Sequence, residues 1–105
     1  MNQAVLEIDE LPEAPLDASA VFHAQYLAKA IDALQGEGDH LTIHMPHADS
    51  DHDDWRRTLA RDLARKFAPK RANILGGGSH RARDEMLAYL RGASGVTGQY
   101  LPLHE

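Results

Sequence analysis

Cysteine is absent from the 105 residues. Its absence excludes a disulfide framework, a thiolate-ligated zinc and thiol catalysis, and suits a reducing compartment. Aromatics are few, with one Trp, three Tyr and two Phe, so a core must rest mainly on aliphatic side chains. No apolar run approaches the roughly 20 residues of a membrane-spanning helix, and no membrane association is expected. Met1-Asn2-Gln3 is followed by acids rather than a basic and then apolar leader, so no secretory signal is expected and the chain is read as cytoplasmic. A formal charge of −5 argues against sequence-independent nucleic-acid binding.

What is present is close to the globular average: 43% hydrophobic and 26% charged residues, enough for one domain over 1–105. The charge is unevenly placed. Residues 1–55 carry twelve acids against Lys29 alone, and residues 56–105 carry ten bases against four acids. Two solvated faces of opposite sign are expected, or internal pairing of acidic loops with a basic helix, or head-to-tail contact between copies.

Ala4 to Ile8 reads as a strand, followed by an acidic, Pro-containing loop to Pro15. A helix capped by Asp17 or Ser19 should run to Leu34 and stop at Gln35-Gly36. Its main stripe is Val21, Ala24, Leu27, Ala28, Ile31 and Leu34, with Phe22, Tyr26 and Ala30 as a second row. His40 to Met45 is a second strand. Asp53 or Asp54 should cap a helix over Trp55 to Ala68, burying Trp55, Leu59, Leu63 and Phe67 and exposing Arg56, Arg57, Arg61, Arg65 and Lys66. Arg71 to Leu75 is a third strand, Arg81 to Arg91 a third helix with Met86, Leu87 and Leu90 inward, and Tyr100 to Leu103 a fourth strand. The order β-α-β-α-β-α-β predicts an α/β fold: a three-layer, Rossmann-like fragment of four parallel strands with helices on both faces.

The stretch Trp55-Arg56-Arg57-Thr58-Leu59-Ala60-Arg61-Asp62-Leu63-Ala64 through Arg71-Ala72-Asn73-Ile74-Leu75-Gly76 resembles the short-chain dehydrogenase/reductase family, as does Ala88-Tyr89-Leu90 followed by Gly95-Val96-Thr97-Gly98-Gln99-Tyr100-Leu101. Phe22-His23-Ala24-Gln25 and Leu41-Thr42-Ile43 fit that family's fourth helix and fifth strand. The resemblance spans about residues 4–105 and maps onto the C-terminal half of a full-length member. It implies pairing through the two long helices and through the last helix and strand, with Phe22, Tyr26, Ala30, Arg57, Arg61, Arg65 and Tyr100 at the interface.

The family's cofactor turn, T-G-x-x-x-G-x-G, occurs nowhere in the chain. Its catalytic Tyr and Lys fall near Met45 and Asp49, its Ser near Met45 or Pro46, and its Asn near Asp17. No Tyr or Lys stands between Leu34 and Trp55. The resemblance therefore implies no nicotinamide cofactor and no oxidoreductase activity for this chain alone. It implies instead a non-catalytic subunit: a homodimer, a homotetramer, or a heteromer that partners or regulates a full-length short-chain dehydrogenase.

Two other constellations invite chemistry. His44, His47, Asp49, Asp51 and His52 suit a divalent metal and follow a strand's C-terminal end, where open α/β sheets place ligands. Asp49, Asp51 and Asp53 alternate as in a calcium loop, yet the sixth position is Asp54 rather than Gly and the twelfth is Ala60 rather than Glu. Gly76, Gly77, Gly78 and Ser79 join a strand to a helix start and could cradle an anion, without the Lys-Ser/Thr of a phosphate loop. A small metal- or anion-dependent protein or enzyme using loop 40–54 is thus the alternative reading.

Overall fold

Strands form where apolar and β-branched residues run between punctuating Pro, Gly and acidic residues, and the helices occupy the long Ala/Leu/Arg stretches between them. A computed structural model describes residues 3–104 of the chain. Its elements are β1 (Gln3–Glu7), α1 (Pro15–Val21), a π-helical turn (Phe22–Tyr26), α2 (Leu27–Gln35), β2 (His40–Met45), a 3-10 turn (Ser50–His52), α3 (Asp53–Lys66), β3 (Arg71–Gly76), α4 (His80–Gly92) and β4 (Tyr100–Pro102). The four strands form one parallel sheet in the order β1-β2-β3-β4, as the sequence predicts.

Register fixes two faces. Ala4, Leu41 and Ala72 stand side by side, as do Leu6, Ile43, Ile74 and Tyr100. With Ile8, Phe22, Ala30, Leu34, Met45, Leu59, Ala60 and Leu63 they make the main core, beneath α1–α2 and α3. The opposite face carries Gln3, His40 and Arg71, then Val5, Thr42 and Asn73, then Glu7, His44 and Leu75. α4 covers this second face, where Arg71 Nη1 donates to Leu90 O at 3.0 Å and Gln3 Nε2 to Leu87 O at 3.4 Å. All three crossovers step in the same direction along the sheet, so placing α4 on the other face gives the β3–α4–β4 connection the opposite hand to its two predecessors.

Two adjacent cations at the start of β3 reach opposite faces to close helix C-termini. Lys70 Nζ donates to Leu34 O at 2.6 Å, and Arg71 Nη1 donates to Leu90 O and, at 2.8 Å, to Ala93 O. Both satisfy carbonyls that a helix end leaves without partners and complement its negative pole.

The helix starts differ from the sequence expectation. α1 begins at Pro15 after an extended Ala14, because a proline's fixed φ suits the first helical position, and Asp17 sits within the first turn. α3 follows the 3-10 turn with His52 at its N-cap, so Asp53 and Asp54 also become first-turn acids. A larger departure is the π turn, in which Leu27 N–H donates to Phe22 O across five residues. The extra residue rotates the helix surface. Ala18, Phe22 and Ala30 are buried, Val21, Leu27 and Ile31 are only half-buried, and Ala24 and Ala28 are exposed. In the row expected at an interface, Phe22 and Ala30 face the core and are buried, while Tyr26 is half-buried.

Candidate functional site

Along α3 the buried residues are Arg56, Leu59, Ala60 and Leu63, with Trp55 and Phe67 half-buried. Arg56, expected in solvent, is 0% exposed. Its Nη1 donates to the Tyr100 hydroxyl at 3.1 Å, and its guanidinium carbon lies 5.6 Å from the ring centroids of both Trp55 and Tyr100. Its Nε has no partner, and none of the ion pairs among the described residues includes it. A cation placed near two aromatic rings suits a guanidinium, which is less strongly hydrated than an ammonium.

Gly76 permits this arrangement. A Cβ there would overlap the Tyr100 hydroxyl and force the ring away from Arg56. Gly76→Ala is therefore expected to lower stability by about 1–2 kcal/mol, through overpacking and loss of the hydroxyl acceptor, as a shifted urea midpoint. An unchanged midpoint would show that Tyr100 yields without cost.

The proposed metal ligands are not brought together. His44 points to the α4 face, where its Nδ1 pairs with Glu7 Oε2 and its Nε2 donates to Gly77 O at 2.8 Å. With a partner at each nitrogen, the ring is committed to contacts within its own chain. His52 is buried and doubly engaged: Nε2 donates to Glu13 O at 2.8 Å, and Nδ1 accepts from Trp55 Nε1 at 3.2 Å. His47, Asp49 and Asp51 stay exposed on the loop. Among the described residues, no group of three or more His, Asp or Glu is placed to hold a metal.

The glycine run is occupied by its own chain. Gly77 N–H donates to Met45 O at 2.9 Å and Gly76 O accepts from Leu103 N–H at 2.8 Å. Gly77 and Gly78 have φ of +68° and +78°, and a Cβ at Gly78 would meet Leu103 Cβ at 2.6 Å. The Ser79 hydroxyl accepts from Ala82 N–H at 3.0 Å and caps α4. Gly77 and Gly78 thus form a left-handed turn between β3 and the α4 cap, packed on the tail of β4, with Gly78 exposed.

Buried polarity concentrates beneath α4. Asn73 Nδ2 donates to His40 Nε2 at 3.2 Å and to Val96 O at 3.0 Å, and its Oδ1 accepts from Gln99 N–H at 3.0 Å. The two backbone partners fix the amide's orientation, so His40 Nε2 must accept. Burial, and then the neighbouring Arg71, push the His40 pKa down to about 4, against an opposing pull from Asp39.

Two of the surface concavities lie along α3. A groove of about 670 Å³ separates the α1–α2 segment from α3. Leu27 and Ile31 face Trp55, Leu59 and Leu63 across it, and Asp54, Asp62, Lys66 and His23 stand at its margin. A second cleft, of about 360 Å³, lies between α3 and the approach to β4, with Arg57, Arg61 and Arg65 beside Thr97, Gln99 and Tyr100. Arg57 is drawn toward Asp53 and Asp54, each at 3.6 Å. Of the interface residues expected from sequence, the arginines are exposed, Tyr26 and Tyr100 are half-buried, and Phe22 and Ala30 are internal.

A one-sheet, all-parallel α/β fragment with helices on both faces is what a Rossmann-like half defines. Residues 6–103 match the family model described as short chain dehydrogenase-like protein, so the chain belongs to the SDR-like family. No curated protein and no solved structure matches the chain closely enough to add a relative. Among the described residues, no helix is long and apolar enough to cross a membrane.

Proposed function

We propose that this chain is a non-catalytic SDR-like subunit that works by associating with a second copy of itself. The observation that carries this reading is the groove between α1–α2 and α3, an apolar floor inside a margin of mixed charge. Such a floor, rimmed by polar residues, is the anatomy of a protein contact rather than of ordinary solvated surface. Acid and base on one margin allow Asp62 of one copy to meet Lys66 of another without a like-charge clash. The family's catalytic positions, filled here by Met45, Pro46, Asp49 and Asp17, supply no proton donor of the Tyr/Lys kind.

The only tryptophan of the chain, Trp55, lines the groove and reports on its occupancy. Diluting the protein is expected to shift Trp55 emission to the red as copies separate. Thr58→Arg, a change at an exposed position in the groove, should show the shifted emission already at high concentration. Emission independent of both dilution and Thr58→Arg would remove the groove from the account. A chain that stays single alone, yet binds a full-length short-chain dehydrogenase through the groove, would replace the second copy with that partner.

A further inference from the structure

We infer that the outer edge of β1 pairs antiparallel with the β1 of a second copy, about a twofold axis at Val5. This rests on the reading of the chain as an associating subunit and assigns it a contact separate from the groove.

Among the described residues the sheet ends at β1, whose one neighbour is β2. The ladder shows which groups point outward. Ile8 N–H donates to His44 O, and Gly77 N–H donates to Met45 O on the other side of β2. By alternation, residues 4, 6 and 8 direct their backbone groups to β2, and residues 3, 5 and 7 direct theirs away from the sheet. Val5 stands in the middle of that outward set and is 44% exposed.

Isolated sheet edges ordinarily carry a device against pairing: a lysine, a proline, a bulge or a free inward charge. Gln-Ala-Val-Leu-Glu has no lysine, proline or glycine, and its register with β2 runs unbroken from Gln3 to Glu7. Its one charge, Glu7, is held within its own chain by His44 and by Arg83 Nη1 at 3.2 Å. Nothing in the strand repels a second strand.

The register explains why a second copy fits. Centring the pair on Val5 sets Val5 against itself and Gln3 against Glu7, with Ala4 against Leu6 on the opposite face. The pairs at 3, 5 and 7 exchange both backbone hydrogen bonds, an amide side chain meets a carboxylate, and no like charges face each other. A shift of two residues either way brings Glu7 opposite Val5, or sets Gln3 opposite Val5, and loses one end of the ladder.

The lack of native cysteine makes the test clean. In an antiparallel hydrogen-bonded pair the Cα atoms are about 5.5 Å apart, within disulfide range. Val5→Cys should oxidise to a covalent dimer at least about tenfold faster than Leu16→Cys or Tyr89→Cys, whose parent residues are more exposed at 83% and 60% but lie off the axis. Val5→Pro removes only an outward N–H, so it should keep the native circular dichroism and abolish the edge contact. Equal oxidation rates for the three cysteines, or a Val5→Pro chain assembled as before, would overturn the inference. If Val5→Cys fails while Trp55 still reports dilution, the edge falls and the groove stands. If the unmodified chain is a single copy at every concentration, the edge pairing and self-association through the groove both fall.

Discussion

Phe22→Ala should cost about 3–5 kcal/mol of folding stability, the usual range for emptying a fully buried aromatic site. The ring is 0% exposed. It stacks on Tyr26 with centroids 6.2 Å apart, meets Trp55 at the same distance, and takes the edge of His23 at 5.6 Å. Its partners come from two helical segments, so the cavity cannot close by moving one side chain. The π turn, in which Phe22 O accepts from Leu27 N–H, sets the helix rotation that aims Phe22 inward. In a 105-residue domain with the ordinary margin of about 5–15 kcal/mol, the variant should be at least partly unfolded at moderate urea. Chemical denaturation followed by circular dichroism measures it, and a loss under about 1 kcal/mol would mean that the site is not packed as described.

Acidification should weaken the fold through His40. The ring is 2% exposed, and burial first, then the neighbouring Arg71, hold it neutral against the pull of Asp39. Its pKa is about 4 in the fold against an ordinary 6.5. Between those values the unfolded chain binds the proton and the folded chain does not, so stability rises with pH across the window. The contribution is fully present above pH 6.5 and declines as pH falls toward 4, by up to about 3 kcal/mol. Above pH 6.5 this site adds no slope. Urea midpoints at neutral pH and near the lower end of the window test it, with His40→Gln expected to flatten the dependence. An equal slope in both proteins would assign the acid sensitivity to other groups.

The sheet was legible in the sequence for a physical reason. β2 and β3 are short apolar runs closed by Pro46 and by Gly76 to Gly78, and buried parallel strands read that way because both faces are covered. What escaped depends on partners distant in sequence. A helical wheel at fixed period cannot place the one-residue expansion at Phe22–Tyr26, so Phe22 and Ala30, expected at a surface, are buried instead. Arg56 reads as solvated beside Arg57, and only Tyr100, 44 positions away, provides its buried acceptor. A clue lay in the aromatic neighbours available to it, since arginine alone among the charged residues stacks readily on both faces. The histidines of loop 40–54 match metal-binding composition, yet His44 and His52 commit their nitrogens to Glu7, Gly77, Glu13 and Trp55, contacts that spacing cannot reveal. The half-buried Leu27 and Ile31 became groove residues because the π turn moved them off the sheet.

The apolar groove and the outer edge of β1 support the proposal that this SDR-like chain acts by assembling. Light scattering on the unmodified protein as it leaves a sizing column, over a wide dilution series, tests that most directly. The account predicts a mass at least twice the 11.6 kDa of one chain, falling on dilution. A mass of 11.6 kDa at every concentration would contradict it.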